Sequence, residues 1–225
     1  VNVTAPNSLT AVTGANVAGL GNVVVTTFGV AAQNGVLVNG YTYLASPTVT
    51  GINPTQGRDT GGQTVTITGT NFPQLANSTT LVQLAGTNVT SVDSVDPTGT
   101  QMTVTTAAAP AGPPGVVVVT TFTTVPGGSQ ASNAFNSFQY RAIPTVTTFS
   151  PVMGPVTGGT IPAHDVVVNG TNFVPGSTTV EFGAGNFGTI VAINATQLTV
   201  TPPAHAAGAV NITVTVTSVG SATSA

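Results

Sequence analysis

Threonine and valine alternate along much of this chain, and the alternation sets the first expectation. Thr64-Val65-Thr66-Ile67-Thr68 carries its apolar side chains on one face and hydroxyls on the other. Leu198-Thr199-Val200-Thr201 and Ile212-Thr213-Val214-Thr215-Val216-Thr217 repeat the arrangement. Successive residues of a strand point to opposite sides, so each segment predicts a half-buried strand with a hydroxylated outer face. Val116 to Val119 is continuously apolar, which predicts a central strand covered on both sides or a barrel-like bend. Helical spacing is missing, and Pro-Gly, Gly-Gly, Asn-Gly and Pro-Pro pairs punctuate the apolar runs as turns. The predicted fold class is all-β.

The chain repeats itself. Pro47-Thr48-Val49-Thr50-Gly51-Ile52-Asn53-Pro54 returns as Pro144-Thr145-Val146-Thr147-Thr148-Phe149-Ser150-Pro151, 97 residues later, and Thr60-Gly61-Gly62 returns as Thr157-Gly158-Gly159 at the same offset. Gly69-Thr70-Asn71-Phe72 recurs as Gly170-Thr171-Asn172-Phe173 at an offset of 101, so the later copy carries four extra residues around Ile161-Pro162-Ala163-His164. An earlier partial copy holds Val24-Val25-Thr26-Thr27-Phe28, matching Val118 to Phe122, and Tyr41-Thr42-Tyr43, matching Phe138-Gln139-Tyr140. A period near 100 residues with about seven short strands is the size of an immunoglobulin-type sandwich. In the middle copy the pattern predicts strands near 47–53, 63–69, 80–85, 88–93, 101–107, 115–123 and 133–141.

Pro-x-Val-x-x-Ile-x-Pro, then Gly57, Gly61-Gly62 and Val65-x-Ile67-x-Gly69-Thr70-Asn71-Phe72, resembles the opening half of an IPT/TIG domain, the immunoglobulin-like fold of Rel-type transcription factors, plexin-type ectodomains and many bacterial surface proteins. The resemblance implies tandem immunoglobulin-like (IPT/TIG, E-set) β-sandwiches, one complete and two partial. Residues 1–46 form the C-terminal part of one sandwich, 47–142 a complete one, and 143–225 a sandwich lacking its last strand after the strand expected at 209–218. In the motif itself, Gly61-Gly62 and Gly69 suit positive φ at the ends of the second strand, Asn71 holds a turn and Phe72 plugs the sandwich end.

Composition narrows the function. Only 3% of residues are charged, with 2 Lys or Arg, 5 Asp or Glu and a formal net charge of −3. Arg58 and Arg141, with no Lys, exclude a nucleic-acid partner and a basic membrane patch. No run approaches the length of a membrane-spanning helix. With no Cys and no Lys, neither disulfides nor Lys-Asn isopeptide bonds can stiffen the chain, so rigidity must come from packing and from contacts between repeats or between chains. A nearly uncharged surface also favours self-association.

Candidate chemistry is sparse. His164-Asp165 is the one adjacent pair suited to acid-base work, but it sits in the four-residue insertion, where a solvated turn is expected. His205 reads as loop. Asp93 and Asp96 beside Pro97 and Gly99 offer two oxygen ligands on a turn, where calcium takes about six to eight, so a solvated turn is the expectation over a calcium site, and two distant His residues argue against zinc. The expectation is therefore no catalytic, cofactor or metal residue, and no enzyme. Six Asn-x-Ser/Thr sequons, at Asn2, Asn77, Asn88, Asn169, Asn194 and Asn211, are candidate N-glycosylation sites on predicted turns or outer strand faces.

These features predict a non-enzymatic structural repeat of an extracellular fibre, filament or surface stalk that self-associates or packs on neighbouring repeats. The alternative is an adhesin or carbohydrate-binding module of a larger surface protein, for which exposed aromatics are few. Val1-Asn2-Val3-Thr4 has neither an initiator Met nor a leader segment, so the chain reads as a processed product or a piece of a longer one. A window cut from a longer array is favoured over a whole subunit whose edge near Val210 to Thr217 accepts a strand from another copy.

Overall fold

The computed structural model describes residues 1–5, 7–29, 33–74, 79–122, 129–159 and 164–224. Strands and turns make up the fold, with no α-helix among the described residues. Contacts divide the chain into two units, Val1–Ser46 and Pro47–Ala225.

The first unit holds two hairpins: β1 (Asn2–Ala5) with β2 (Ser8–Thr10), and β3 (Gly19–Thr27) with β4 (Gln33–Tyr43). Among the described residues of this unit neither hairpin has a second layer. Val24, Leu37 and Val38 are 54%, 62% and 67% exposed, a state that two-stranded ribbons rarely maintain alone in water.

The second unit contains two sandwiches. In the first, β5 (Thr48–Asn53), β7 (Thr64–Thr70), β10 (Ser91–Val95) and β11 (Gln101–Thr105) form a sheet in the order β10-β11-β7-β5. The opposing sheet runs β6-β14-β12-β8-β9, built from β6 (Gln56–Arg58), β8 (Thr79–Leu84), β9 (Thr87–Asn88), β12 (Gly115–Phe122) and β14 (Phe135–Arg141), with β13 (Gln130–Ala131) also on β12. The second sandwich repeats the plan. β15 (Thr145–Ser150), β16 (Val166–Thr171), β18 (Thr189–Ile193) and β19 (Gln197–Thr201) form the sheet β15-β16-β19-β18. β17 (Thr178–Phe182), β20 (Ile212–Val216) and β21 (Gly220–Thr223) form β17-β20-β21.

Alternation is what fills the space between the sheets. Val65 and Ile67 of β7 and Val104 of β11 meet Val82 and Leu84 of β8 and Val117 and Val119 of β12, all 0% exposed. Val168, Leu198 and Val200 meet Val180 and Val214 in the next sandwich. Each such side chain removed from water contributes roughly 1.5–3 kcal/mol, so these layers dominate the stability. The intervening threonines face outward and pair across strands: Thr48 with Thr70 at 2.8 Å, Thr145 with Thr171 at 2.8 Å, Thr213 with Thr223 at 3.0 Å.

Three expectations change. The single strand expected at 88–93 is two strands on opposite sheets: Thr87–Asn88 pairs with β8 and Ser91–Val95 with β11. Valines 89 and 92 both pack on the core, so the chain crosses from one sheet to the other here, a step invisible to alternation alone. The apolar run Val116 to Val119 is not covered on both sides. Val117 and Val119 are buried whereas Val116 is 36% exposed, so β12 is an ordinary two-faced strand. Gly69 does not owe its place to positive φ, which belongs to Gly61 and Gly62 at 70° and 74°. A Cβ at Gly69 would instead strike the Thr48 carbonyl oxygen and lie 2.6 Å from Phe72 Cζ.

Beyond residue 218, where the sequence pattern places no further strand, β21 returns along β20 with Thr215 opposite Ser221 and Val216 opposite Gly220. This matches β13 on β12, where Thr120 and Thr121 face Ala131 and Gln130. The described residues contain no counterpart of β14.

The β3–β4 hairpin shares the register of the β12–β14 and β12–β13 pairs at its two ends, slipping by two residues in one step where the sandwich slips by one residue twice. Gly21 faces Tyr41 as Gly115 faces Phe138, a register shift follows at once in both, and Thr27 faces Gln33 as Thr121 faces Gln130. The aromatic pairs match as well. Tyr41 and Tyr43 stack edge-on with centroids 4.9 Å apart, and Phe138 and Tyr140 do so at 5.1 Å. Phe138 is fully buried, while Tyr41 is 40% exposed.

One polar side chain ties the two sheets of the first sandwich. Asn133 accepts from the Val49 amide at 2.8 Å through Oδ1 and donates Nδ2 to the Val49 carbonyl at 3.0 Å, at the point where the β5–β7 register shifts. The amide acts as a one-residue strand partner for backbone the ladder leaves open. Asn133→Ala should lower stability by about 1–3 kcal/mol in urea denaturation, the range for stranding buried polar groups.

Candidate functional site

The residues singled out from the sequence do not converge. Asp165 accepts from Thr201 Oγ1 at 2.6 Å, whereas the Nδ1 of neighbouring His164 is buried without a partner. His205 engages the Ala206 carbonyl through Nδ1 at 2.8 Å and donates its amide to the Val156 carbonyl at 2.9 Å. No group of three or more His, Cys, Asp or Glu able to hold a metal occurs among the described residues. Ile161, Pro162 and Ala163 of the insertion lie outside them.

The two aspartates considered as calcium ligands are occupied by protein donors, Asp93 on β10 by hydroxyls of its own strand and of β11, Asp96 by its own turn. Asp93 accepts from Ser91 Oγ at 2.5 Å and Thr105 Oγ1 at 2.8 Å. Asp96 receives the Thr98 hydroxyl, the amides of Gln101 and Thr100, each at 2.7 Å, and the Thr100 hydroxyl at 3.0 Å. These donors favour the ionised form and hold its carboxyl well below the ordinary value of 3.8, the Thr98 hydroxyl contributing most.

The second sandwich supplies a natural control. Asn194 stands where Asp96 does, its Oδ1 accepting the Thr196 amide at 2.9 Å, the Gln197 amide at 2.8 Å and the Thr196 hydroxyl at 3.2 Å. A neutral amide performs the same task, so the carboxylate of Asp96 is a turn cap. The sequence signal was present, since Asp96 and Asn194 stand shortly before the matching strands β11 and β19, but it needed the turn to be seen.

The sequons fall in different settings. Asn2, Asn88, Asn194 and Asn211 are exposed. Asn169 is half-buried between strands, donating Nδ2 to Thr148 Oγ1 at 3.0 Å and accepting from Gln197 Nε2 at 2.9 Å. Asn77 lies outside the described residues.

Among the described residues, two side-chain hydrogen bonds join the sandwiches. Gln56 Nε2 donates to the Thr217 carbonyl at 3.0 Å, and Gln63 Nε2 to the Ser218 carbonyl at 2.5 Å. Gln63 Oε1 in turn accepts the Arg58 amide at 2.6 Å. Arg58 and Arg141, read in the sequence only as the two basic residues of the chain, are set directly opposite each other by the parallel pairing of β6 with β14.

These sandwiches belong to a known family: the IPT/TIG domain model matches residues 47–140 and again 144–225, so the chain is a member of the IPT/TIG family. The family is one of non-enzymatic immunoglobulin-like domains. No curated protein matches the chain. Among solved structures it is similar to the full extracellular region of plexin A4, domains 1 to 8, at 24% identity and a TM-score of 0.41, covering 76% of this chain and 17% of that one. It is also similar to the surface glycan-binding protein PbSGBP-B from Prevotella bryantii, at 16% identity and a TM-score of 0.35, covering 80% of this chain and 41% of that one. The chain thus spans less than a fifth of the plexin ectodomain it matches. No helix among the described residues is long and apolar enough to cross a membrane.

The turn cap carries a pH dependence. A carboxyl held below its ordinary value stabilises the fold above that value and loses the contribution as pH falls through the acid range beneath 3.8. Asp96→Asn should keep the turn, as Asn194 does, and should reduce the loss of stability between neutral pH and pH about 2 seen in urea midpoints. An unchanged acid sensitivity would refute the cap.

Proposed function

We propose that this chain is a non-enzymatic structural segment of an extracellular fibre, filament or surface stalk made of tandem IPT/TIG sandwiches. In this reading residues 1–46 contribute the late strands of one sandwich, 47–142 a complete second, and 143–225 a third whose closing strand is begun by β21. The supporting observation is the shared register of the β3–β4 and β12–β14 pairs. The hairpin keeps the glycine, the register shift and the stacked aromatics of a sandwich's closing strands, while its core-facing Val23, Val25 and Tyr41 remain 38%, 39% and 40% exposed. Such a hairpin gains stability only when the other sheet of a sandwich covers it.

Cohesion in this reading comes from sheet packing and from the Gln56 and Gln63 bridges between neighbouring sandwiches. The absence of Cys and Lys from the sequence leaves no disulfide or Lys-Asn isopeptide bond as a substitute. An extracellular setting is supported by the scarcity of charge and by exposed sequons, with Asn194 the best-presented acceptor: its Oδ1 is fixed by the turn and the Thr196 hydroxyl lies against it.

The native protein, isolated from its source, should show a mass well above 22.1 kDa and regularly spaced domains along an elongated particle by electron microscopy. Compact particles of the single-chain mass would overturn the array. Strong selective binding on a glycan array would shift the assignment to an adhesin or carbohydrate-binding module. Peptide-N-glycosidase treatment should lower the mass of the native protein, and Asn194→Gln should remove one glycan's worth of that shift.

A further inference from the structure

The sequence has 2 Lys or Arg residues in 225, and the fold places both at one spot. β6 and β14 run parallel with Gln139 opposite Gln56, Tyr140 opposite Gly57 and Arg141 opposite Arg58. Tyr140 is buried in the core at 2% exposure, so its neighbour Arg141, and Arg58 in register with it, lie on the outer face of the sheet. Their backbones are fixed: the Asp59 amide donates to the Arg141 carbonyl at 2.8 Å, and the Gly61 amide to the Arg58 carbonyl at 3.1 Å. Gln56, next but one to Arg58 on the same face, bonds the following sandwich at Thr217, so the pair sits beside the junction of the two domains.

Both side chains are half-buried, and the Nε of each is buried with no hydrogen-bond partner. Among the described residues neither guanidinium is held by a carboxylate or carbonyl. Like charges directly opposite on neighbouring strands repel, and a buried donor without an acceptor costs more than a solvated one. A chain this poor in charge has every other position available for its cations. The arrangement becomes favourable when one anion accepts from both forks, because guanidinium donors match the paired oxygens of a carboxylate or sulfate.

We propose that Arg58 and Arg141 form an oxyanion-binding site at the domain junction, taking a carboxylate or sulfate group such as an acidic sugar carries.

With only two arginines, the protein gives two Nε–H signals in a nitrogen-edited NMR spectrum, each assigned by its own Arg→Gln variant. Titrating residues 1–225 with sodium sulfate, sodium acetate or sodium glucuronate at constant ionic strength, against sodium chloride alone, should move both signals together along one saturable curve. Arg58→Gln and Arg141→Gln should each weaken that binding roughly tenfold or more, the loss expected for one charge-assisted partner, while the protein remains folded by its valine methyl spectrum. Signals that stay still in every titration, or follow ionic strength alone, would overturn the site. Signals that move with protein concentration before any anion is added would overturn the small-oxyanion assignment and give the site to a carboxylate of a second copy.

Discussion

Everything in this fold depends on the interlocking of small branched side chains between two sheets. Each sandwich is held by a layer of valines, isoleucines and leucines supplied two residues apart, such as Val65 and Ile67 against Val82 and Leu84, all wholly buried. Branched side chains fit a pleated surface and lose little rotamer freedom when packed there. Because no disulfide, isopeptide bond or charge network is available in the sequence, that layer must carry cohesion almost alone. The polar devices around it are local repairs. Asn133 serves the open backbone at Val49, and Asp96 and Asn194 cap matching turns.

The same constraint explains the outward threonines. A strand face that meets water without charged residues needs groups that can bond water and one another, and the Thr48–Thr70, Thr145–Thr171 and Thr213–Thr223 pairs do both. The surface stays neutral while the ladder is reinforced. Neutral exteriors approach other neutral exteriors with little repulsion.

Much of the fold was legible because alternation and self-similarity are local properties. Thr64 to Thr68 announces its own strand, and the repeated Gly-Thr-Asn-Phe announces the plug that Phe72 and Phe173 provide at 3% and 2% exposure. What stayed hidden depends on partners far away in sequence. The crossing between Asn88 and Ser91 is decided by which sheet each short strand joins, and the side-by-side arginines by a parallel pairing across more than eighty residues. Gly69 was recognised as necessary for the wrong reason, since only the packed structure reveals the Thr48 carbonyl beside it. Asp93 and Asp96 were visible as oxygen donors, but the groups that occupy them come from the fold, a hydroxyl of the paired strand β11 for Asp93 and the turn's own amides and hydroxyls for Asp96.

The placement of the two arginines also bears on how long such a protein lasts among proteases. Trypsin-like enzymes cut after Lys or Arg in chain they can draw out into their cleft, and this sequence offers them two bonds, following Arg58 and Arg141. Both lie at the ends of β6 and β14, with their carbonyls already hydrogen-bonded and their strands paired to each other. Cleavage there must wait for the sheet to open, so digestion by that class of enzyme is limited by unfolding.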